Sequence, residues 1–404
     1  MSSEQIVNNI VNLRRAGMKF GTERTRALLD ALGSPDEKLK IIHVAGSNGK
    51  GSVCEYLTRI LIAAGKRTGT YTTPEVFCFE EQFRIDGKAD AALVEKYLKA
   101  ADDAAEKLED SPTAYERQTA AAFYMFAQEG CEYAVTECCM GGLLDTTNAV
   151  THKVLALITS VSLEHTAFLG PCLEDIAAHK AGIIKDCPSI ISRCVPEEVR
   201  GIFFEKGAKL CADVSEIEEK EDGTYFTFEA KRYFTRMQGC RQPYNAALAI
   251  SAARVLGIEG GAISRGIEEA YLAGRLQKVV ARGRIYILDG AHNPESFIPL
   301  AHLLTTAYAK KRRTLVYGCL SDKDIDGVLS ALSGCAESII AVQPDSYRAM
   351  DMGKIVNACR RHFSDVCTAV GVSNALDLAD GDVVAVCGSF TLLKEAMEWT
   401  EKRQ

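Results

Sequence analysis

The segment His43-Val-Ala-Gly46-Ser47-Asn48-Gly49-Lys50-Gly51-Ser52 gathers residue types suited to holding a phosphate. Glycines free backbone N–H groups to point at phosphate oxygens, a lysine supplies a point charge, and a serine hydroxyl can reach Mg2+. The apolar run Ile41–Ala45 leads into the segment and a helical pattern, Gly51–Ala64, follows it. A helix N-terminus in that place adds a dipole that favours an anion. The spacing departs from the common pattern G-x-x-x-x-G-K-[ST]: Gly49 follows Gly46 closely, and Gly51 intervenes between Lys50 and Ser52. The segment reads either as a chance glycine turn or as a variant loop from one branch of nucleotide-binding enzymes.

Further segments place polar groups where strands should end. Glu137 closes the apolar run from Tyr133 and stands near Gly141 and Gly142. Parallel sheets present metal-binding carboxylates from that position, although a solvent-facing strand end explains it equally well. His165 follows the strand Val154–Ile158 and reads as a metal ligand, a phosphate contact or a structural loop histidine. Lys180 and Lys185 lie near a helix C-terminus, where the dipole alone favours them. Asp289 and His292 follow a strand in the second half of the chain, with an Asp-Gly turn as the plain alternative.

The elements that must position these residues alternate. Strands are predicted at Ile41–Ala45, Thr68–Tyr71, Tyr133–Glu137, Val154–Ile158 and Ser189–Ile191. Helices are predicted at Gly51–Ala64, Ala91–Leu108, Ala114–Glu129, Cys172–Ile184 and Pro196–Gly207. Two amphipathic helices precede them, from about residue 4 to 32, separated by Gly17–Gly21. Such alternation implies a mainly parallel sheet covered on both faces. Residues 208 to 236 read as a small antiparallel excursion, followed by helices from Asn245 and Ala262. After a link at Gly274-Arg275-Leu276 the alternation restarts, with strands at Ile285–Leu288, Thr314–Tyr317, Ser338–Val342 and Val383–Cys387. Helices are expected between them at Ser296–Ala309, Ile325–Leu332 and Met352–His362, and a last one at the C-terminus. The expected boundary lies near 273.

The chain has 404 residues, 47% hydrophobic and 25% charged, with a net charge of −7. Its length suggests more than one domain and its composition a soluble globular protein. The acidic balance argues against a nucleic-acid surface, and the run Lys310–Arg313 reads as a solvated helix end. Fifteen scattered cysteines without a C-x-x-C pair fit free thiols in a reducing cytosol and argue against structural zinc. No signal-peptide core or membrane-spanning run is visible.

Taken in order, the segments resemble the folylpolyglutamate synthase/dihydrofolate synthase family of Mur-type ATP-dependent amide ligases. The resemblance runs from about Phe20 to Phe390. The family's phosphate loop, HVAGTNGKGS, corresponds to His43–Ser52 and includes the extra glycine. EVGLGGRLDATN corresponds to Glu137–Asn148, DHT-x-x-LG to Glu164–Gly170, and EKAGIIK to His179–Lys185. LDGAHNP stands unchanged at Leu288–Pro294, and Lys323-Asp324 and Gly388-Ser389 match shorter family features.

The resemblance implies a P-loop NTPase-like, mainly parallel α/β domain over 1–273 and a smaller Rossmann-like α/β domain over 274–404. It implies that ATP phosphorylates a pteroate or folate carboxylate and that the amino group of L-glutamate displaces the phosphate. By carry-over, Gly46, Ser47, Asn48, Gly49, Lys50, Gly51 and Ser52 cradle the phosphates. Ser52, Thr73 and Glu137 hold one Mg2+, and Glu137 with His165 a second. Lys180 matches a lysine that family members carbamylate, adding a carboxylate to the second metal. Asn245 and Asp289 contact the nucleotide, Arg275 reaches the γ-phosphate on domain closure, and His292 and Ser389 serve the amino acid. A monomer without nucleic-acid or membrane partners is the family-like expectation.

Several positions depart from the family. TSPH is Thr72-Thr73-Pro74-Glu75, FNERIR is Phe79–Arg84, an arginine is Leu143, and the histidine of GxHQ is Arg241. Several of these changes fall where the acyl acceptor is expected. They leave open a paralogue acting on a non-folate acid, and beyond that a nucleotide-binding protein without ligase activity.

Overall fold

The computed structural model describes residues 21–403. The first of the two expected N-terminal helices lies outside that span, and the second forms at Glu23–Ala31. The strands of the first sheet are β1 (Lys40–Ala45), β2 (Thr68–Tyr71), β3 (Phe83–Ile85), β4 (Lys88–Ala89), β5 (Tyr133–Glu137), β6 (Leu155–Ile158), β7 (Ser189–Ile191) and β8 (Lys209–Leu210). They lie in the order β4-β3-β2-β5-β1-β6-β7-β8. All neighbours are parallel except the β2–β3 and β3–β4 pairs. β1 is central: Ile42 pairs with Val135 on one side and Leu155 on the other. Every residue of β1 after Lys40 is buried, as a parallel strand covered on both faces requires.

On one face the helices Ala91–Ala105 and Ala114–Gln128 pack Leu98, Phe123 and Phe126 with Leu28 and Leu29 of Glu23–Ala31. On the other, Leu173–Ala181 and Arg200–Phe204 bring Ile176 and Phe203 against Ile158 and Ile191. The helix Lys50–Ala63, which follows the glycine segment, is fixed by the helix Gly260–Glu269. A Cβ on Gly266 would lie 2.4 Å from the Ile60 backbone, so only glycine permits this approach. Arg265 then donates to the Ala63 carbonyl at 3.0 Å and satisfies one of the helix's open C-terminal acceptors.

The excursion expected from residue 208 starts later, because Lys209–Leu210 joins the first sheet as β8, parallel to β7; a separate three-stranded sheet then forms from β9 (Val214–Lys220), β10 (Gly223–Phe228) and β11 (Lys231–Thr235). The second large sheet comprises β12 (Gln277–Ala281), β13 (Arg284–Asp289), β14 (Arg313–Tyr317), β15 (Ser338–Ala341), β16 (Asp365–Thr368) and β17 (Val383–Cys387), in the order β12-β13-β17-β14-β15-β16. Only β12 runs antiparallel to its neighbour. The chain groups into two compact units. One holds the residues up to Val214 with Phe228–Tyr233 and Tyr244–Ala270, and the other holds Ser215–Thr227, Phe234–Pro243 and the chain from Tyr271.

The expected helix Pro196–Gly207 is shorter, because Pro196 caps a 3-10 turn at Glu197–Val199 and the α-helix runs only from Arg200 to Phe204. The β3–β4 hairpin, β12, β16 and the helix Gly371–Leu378 were not anticipated. None of the fifteen cysteines is in a disulfide. Among the described residues no helix is long and apolar enough to cross a membrane.

Candidate functional site

β1 delivers the glycine segment at its C-terminal end, and Lys50 opens the helix that follows. Gly49, the residue before that helix, has φ +89°, a left-handed conformation costly for any residue with a Cβ. Residues after β6 clamp the loop. Ser162 N–H donates to Ser47 Oγ at 2.9 Å and Asn48 N–H to Ser160 Oγ at 2.9 Å, while Thr159 Oγ1 donates to the Asn48 carbonyl at 2.6 Å. Asn245, on the helix Gln242–Val255, approaches from the other side: a Cβ on Gly49 would come within 2.5 Å of its Oδ1.

Lys50 curls back over its own loop. Its ammonium donates to the Gly46 carbonyl at 2.9 Å and the Ser47 carbonyl at 3.2 Å, and lies 3.9 Å from Glu137 Oε1. Burial favours the neutral amine, but the Glu137 and Glu164 carboxylates outweigh it and raise the pKa, so the charge is retained. Glu137 ends β5 in register with Val44 and accepts from the Thr73 N–H at 3.3 Å. Ser52 and Glu137 are each 5% exposed. The structure thus brings Lys50 and Thr73 onto Glu137. His165 stands apart in character, exposed and left-handed (φ +46°) before the short helix Thr166–Leu169.

Lys180 is fully buried on the helix Leu173–Ala181 and pairs with Glu164 at 2.7 Å. Burial lowers the Lys180 pKa more than Glu164 raises it. Burial also opposes ionisation of Glu164, yet the Lys180 and Lys50 charges, with hydrogen bonds from Lys180 and Ser47, hold that carboxyl at about 2. Two glycines let the loop after β5 reach this helix. A Cβ on Gly142 would sit 2.8 Å from the His179 carbonyl, and one on Gly182 would sit 2.5 Å from Leu143 Cβ. Lys185 serves structure, donating to the Asn148 carbonyl at 2.9 Å.

In the other unit, Asp289 ends β13 next to β17. Burial raises its pKa to about 7, against the Arg275 charge and the Ala291 and Leu276 amides. The Arg275 guanidinium lies 4.6 Å from the centre of the Phe390 ring, a cation–π distance, and the His292 ring is 6.2 Å from the same ring. Gly290 makes room, since a Cβ there would meet Phe390 at 2.1 Å. His292 Nδ1 lies 2.9 Å from the Gly290 carbonyl, and Ser389 Oγ is 2.8 Å from Thr391 Oγ1. Asn293 caps the helix Pro294–Thr305 that begins here, in a reciprocal arrangement with Ser296. Arg275 and His292 thus meet at Phe390, which follows Ser389 in the chain, and Asp289 lies near the Arg275 charge.

Sequence reasoning gave no role to Phe390, Glu164 or the clamp residues Thr159, Ser160 and Ser162. The hydroxyl-rich run after an apolar strand was the available signal for the clamp. Phe390 offered none, because a lone aromatic beside Gly388-Ser389 reads as core.

A phosphate-type loop joined to a buried carboxylate on the adjacent strand, followed by a second parallel α/β unit, is the arrangement of a nucleotide-dependent ligase. Family models agree: the Mur ligase middle domain matches residues 44–253, and the Mur ligase glutamate ligase domain matches residues 274–390. The dihydrofolate synthase/folylpolyglutamate synthase of Bacillus subtilis is 32% identical over 82% of this chain and 83% of its own length. A probable bifunctional folylpolyglutamate synthase/dihydropteroate synthase of Haloferax volcanii is 33% identical over 99% of this chain, which spans only 51% of that relative. Among solved structures, Mycobacterium tuberculosis folylpolyglutamate synthase complexed with ADP and AMPPCP superposes with a TM-score of 0.90 at 26% identity, covering 100% of both chains. A bifunctional folylpolyglutamate synthase/dihydrofolate synthase with Mn, AMPPNP and L-glutamate bound superposes with a TM-score of 0.82 at 28% identity, covering 97% of both chains. The chain belongs to the folylpolyglutamate synthase/dihydrofolate synthase family of Mur ligases.

Proposed function

We propose that this protein is an ATP-dependent ligase that joins L-glutamate to the carboxylate of a pteroate or folate. The observation that carries the reading is the clamped glycine loop, with the Lys50 ammonium 3.9 Å from the buried Glu137 carboxylate. In this reading a substrate carboxylate oxygen takes the γ-phosphoryl group as its bond to the β-phosphate oxygen breaks, giving an acyl phosphate and ADP. The amine of glutamate then attacks the acyl carbon, phosphate leaves with the C–O electron pair, and the amine proton passes to solvent. Such chemistry needs positioned charge more than acid–base groups.

Gly46, Ser47, Asn48, Gly49 and Gly51 present the loop backbone to the phosphates, and Lys50 neutralises their charge. Asn245, Asp289 and Arg275 hold the nucleotide, with Arg275 directed to the γ-phosphate, while His292 and Ser389 take the amino acid. The Ser52 and Thr73 hydroxyls and the Glu137 carboxylate are hard oxygen donors of the kind Mg2+ prefers. They would hold one ion, and Glu137 with His165 a second, to spread the charge of the transferring group. Burial lowers the Lys180 pKa, which eases loss of the ammonium proton; the freed amine would then add to CO2 with loss of a second proton, and the resulting carbamate would join the second site. A carbamate carbon resonance in protein equilibrated with 13C-bicarbonate, absent from Lys180→Gln, tests that point. Residues 1–273 and 274–404 divide these roles, and a monomer suffices for them.

The acyl acceptor is the point on which the family departures bear. Leu143 is 48% exposed and Phe168 likewise, and both border a depression with Asp175 and His179. An apolar rim where relatives carry arginine favours, as a second reading, a less anionic acid. The test is ADP release with glutamate plus dihydropteroate and, separately, a reduced folate. Turnover with either supports the proposal. ATP binding without turnover on either turns the assignment to the non-folate acid.

A further inference from the structure

Away from these residues, three side chains that could ligate a metal converge within the second unit: Glu219 on β9, Cys240 in the loop before the helix Gln242–Val255, and His302 on the helix Pro294–Thr305. One ligand atom from each lies within 4.8 Å of the others. Their approach is built into the backbone. Gly239 has φ +111°, and a Cβ there would meet Leu276 Cδ1 at 2.6 Å and Pro299 Cβ at 3.3 Å. Glycine therefore lets the Cys240 loop sit against the helix one turn before His302.

The carboxylate is the second, independent sign. The Glu219 side chain is only 3% exposed. Its Oε2 contacts His302 Nδ1 at 2.5 Å and the Thr306 hydroxyl at 3.5 Å, but its Oε1 is buried with no hydrogen-bond partner. The Gly239 amide is a further donor near the carboxylate and favours its ionised form. A buried carboxylate oxygen left unsatisfied costs free energy that a cation would recover.

We infer that Glu219, Cys240 and His302 form a zinc site that staples β9, the Cys240 loop and the helix Pro294–Thr305 together. Thiolate, imidazole and carboxylate are the donors Zn2+ accepts in tetrahedral sites, with bonds of about 2.0–2.3 Å. Ligand atoms in such a site lie somewhat under 4 Å apart, so the three need only small side-chain shifts to converge. His302 is 48% exposed, which leaves a water as the fourth ligand. The soft sulfur sets the site apart from any oxygen-lined Mg2+ site.

Full-length protein, stripped with a chelator and kept free of nucleotide and Mg2+, is titrated with Co2+ as a spectroscopic stand-in and with Zn2+ by calorimetry. One ion per chain is expected, with a near-ultraviolet thiolate-to-cobalt band and visible bands of tetrahedral intensity. Cys240→Ser abolishes the thiolate band. His302→Gln and Glu219→Gln, which keep polar side chains in place, weaken Zn2+ at least ten-fold, while the exposed Cys367→Ser changes nothing. Absence of the thiolate band in the unsubstituted protein overturns the proposal, and so does a band that survives Cys240→Ser, which would mark another thiol.

Discussion

Gly49→Ala probes how the loop is tied to Asn245. Gly49 has φ +89°, and an added Cβ would sit 2.5 Å from Asn245 Oδ1, about 0.9 Å inside ordinary contact. The left-handed conformation alone costs a non-glycine residue about 1–2 kcal/mol. The clash falls on the end of a flexible side chain, so Asn245 should rotate away and leave the backbone in place. If Asn245 binds the nucleotide, losing that hydrogen bond costs about 1–1.5 kcal/mol, close to ten-fold in ATP affinity. Gly130→Ala is the control, with a similar φ of +72° and nothing within 4 Å of the added atom. It should lose comparable stability in urea and bind ATP normally. Asn245→Ala should weaken ATP about ten-fold at little cost in stability. The double variant Gly49→Ala/Asn245→Ala should bind ATP no worse than either single, a coupling of about 1 kcal/mol. Calorimetric titration of all four proteins decides the matter. Losses of ATP affinity that simply add in the double variant would refute the coupling and place the effect of Gly49 in the loop alone.

Further outcomes follow from the same geometry. Lys50→Ala should lower kcat for ADP release by about 10²–10³, the scale for removing one preorganised charge, in protein still folded at the assay temperature. Intact turnover would sink the loop assignment. Lys180→Ala takes from Glu164 its nearest charge, leaving Lys50 and the Ser47 hydroxyl, and should destabilise by about 1–3 kcal/mol in urea, whereas Lys40→Ala, which breaks the exposed pair with Glu132, should change stability by less than about 1 kcal/mol. Equal losses would contradict the burial argument. Asp289 has a folded pKa raised to about 7 from 3.8. Between those values the unfolded chain gives up a proton that the folded one keeps, so stability falls as pH rises, by at most about 4 kcal/mol. Asp289→Asn should therefore gain on the unsubstituted protein as pH rises from about 4 to about 7 and hold that gain above it in urea titrations, and parallel pH profiles would exclude the effect. Gly266→Ala should push the helix Gly260–Glu269 off Ile60 and cost about 1–3 kcal/mol, read as a lowered urea midpoint.

The parts of the fold legible in the sequence are those where period and burial agree. β5, β15 and β17 are buried throughout, β1 is buried after Lys40, and all four were visible as apolar runs. β16 was not, because its exposed Asp365, Cys367 and Thr368 carry no apolar signal. β12 and the β3–β4 hairpin are short antiparallel additions that turn back on a neighbour, Ala281 onto Arg284 and Ile85 onto Lys88, and their partly exposed residues make no continuous apolar run. At the site, Lys50 and Glu137 could be named because each stands at a strand end beside glycines. The Lys180–Glu164 pair and the ring of Phe390 under Arg275 are long-range contacts, and no local spacing encodes them.

The first large sheet ends in very short strands: β4 is Lys88–Ala89 and β8 is Lys209–Leu210, each with an exposed lysine. A flat sheet edge offers unpaired N–H and C=O groups on which a second molecule could add strands. Here the borders give a neighbour almost no backbone to zip onto, and a cation guards each one. Crowded solutions of this protein should thus resist growth of intermolecular β-structure from the borders of this sheet, and fibrils seeded by its strands would report prior unfolding of the parallel interior.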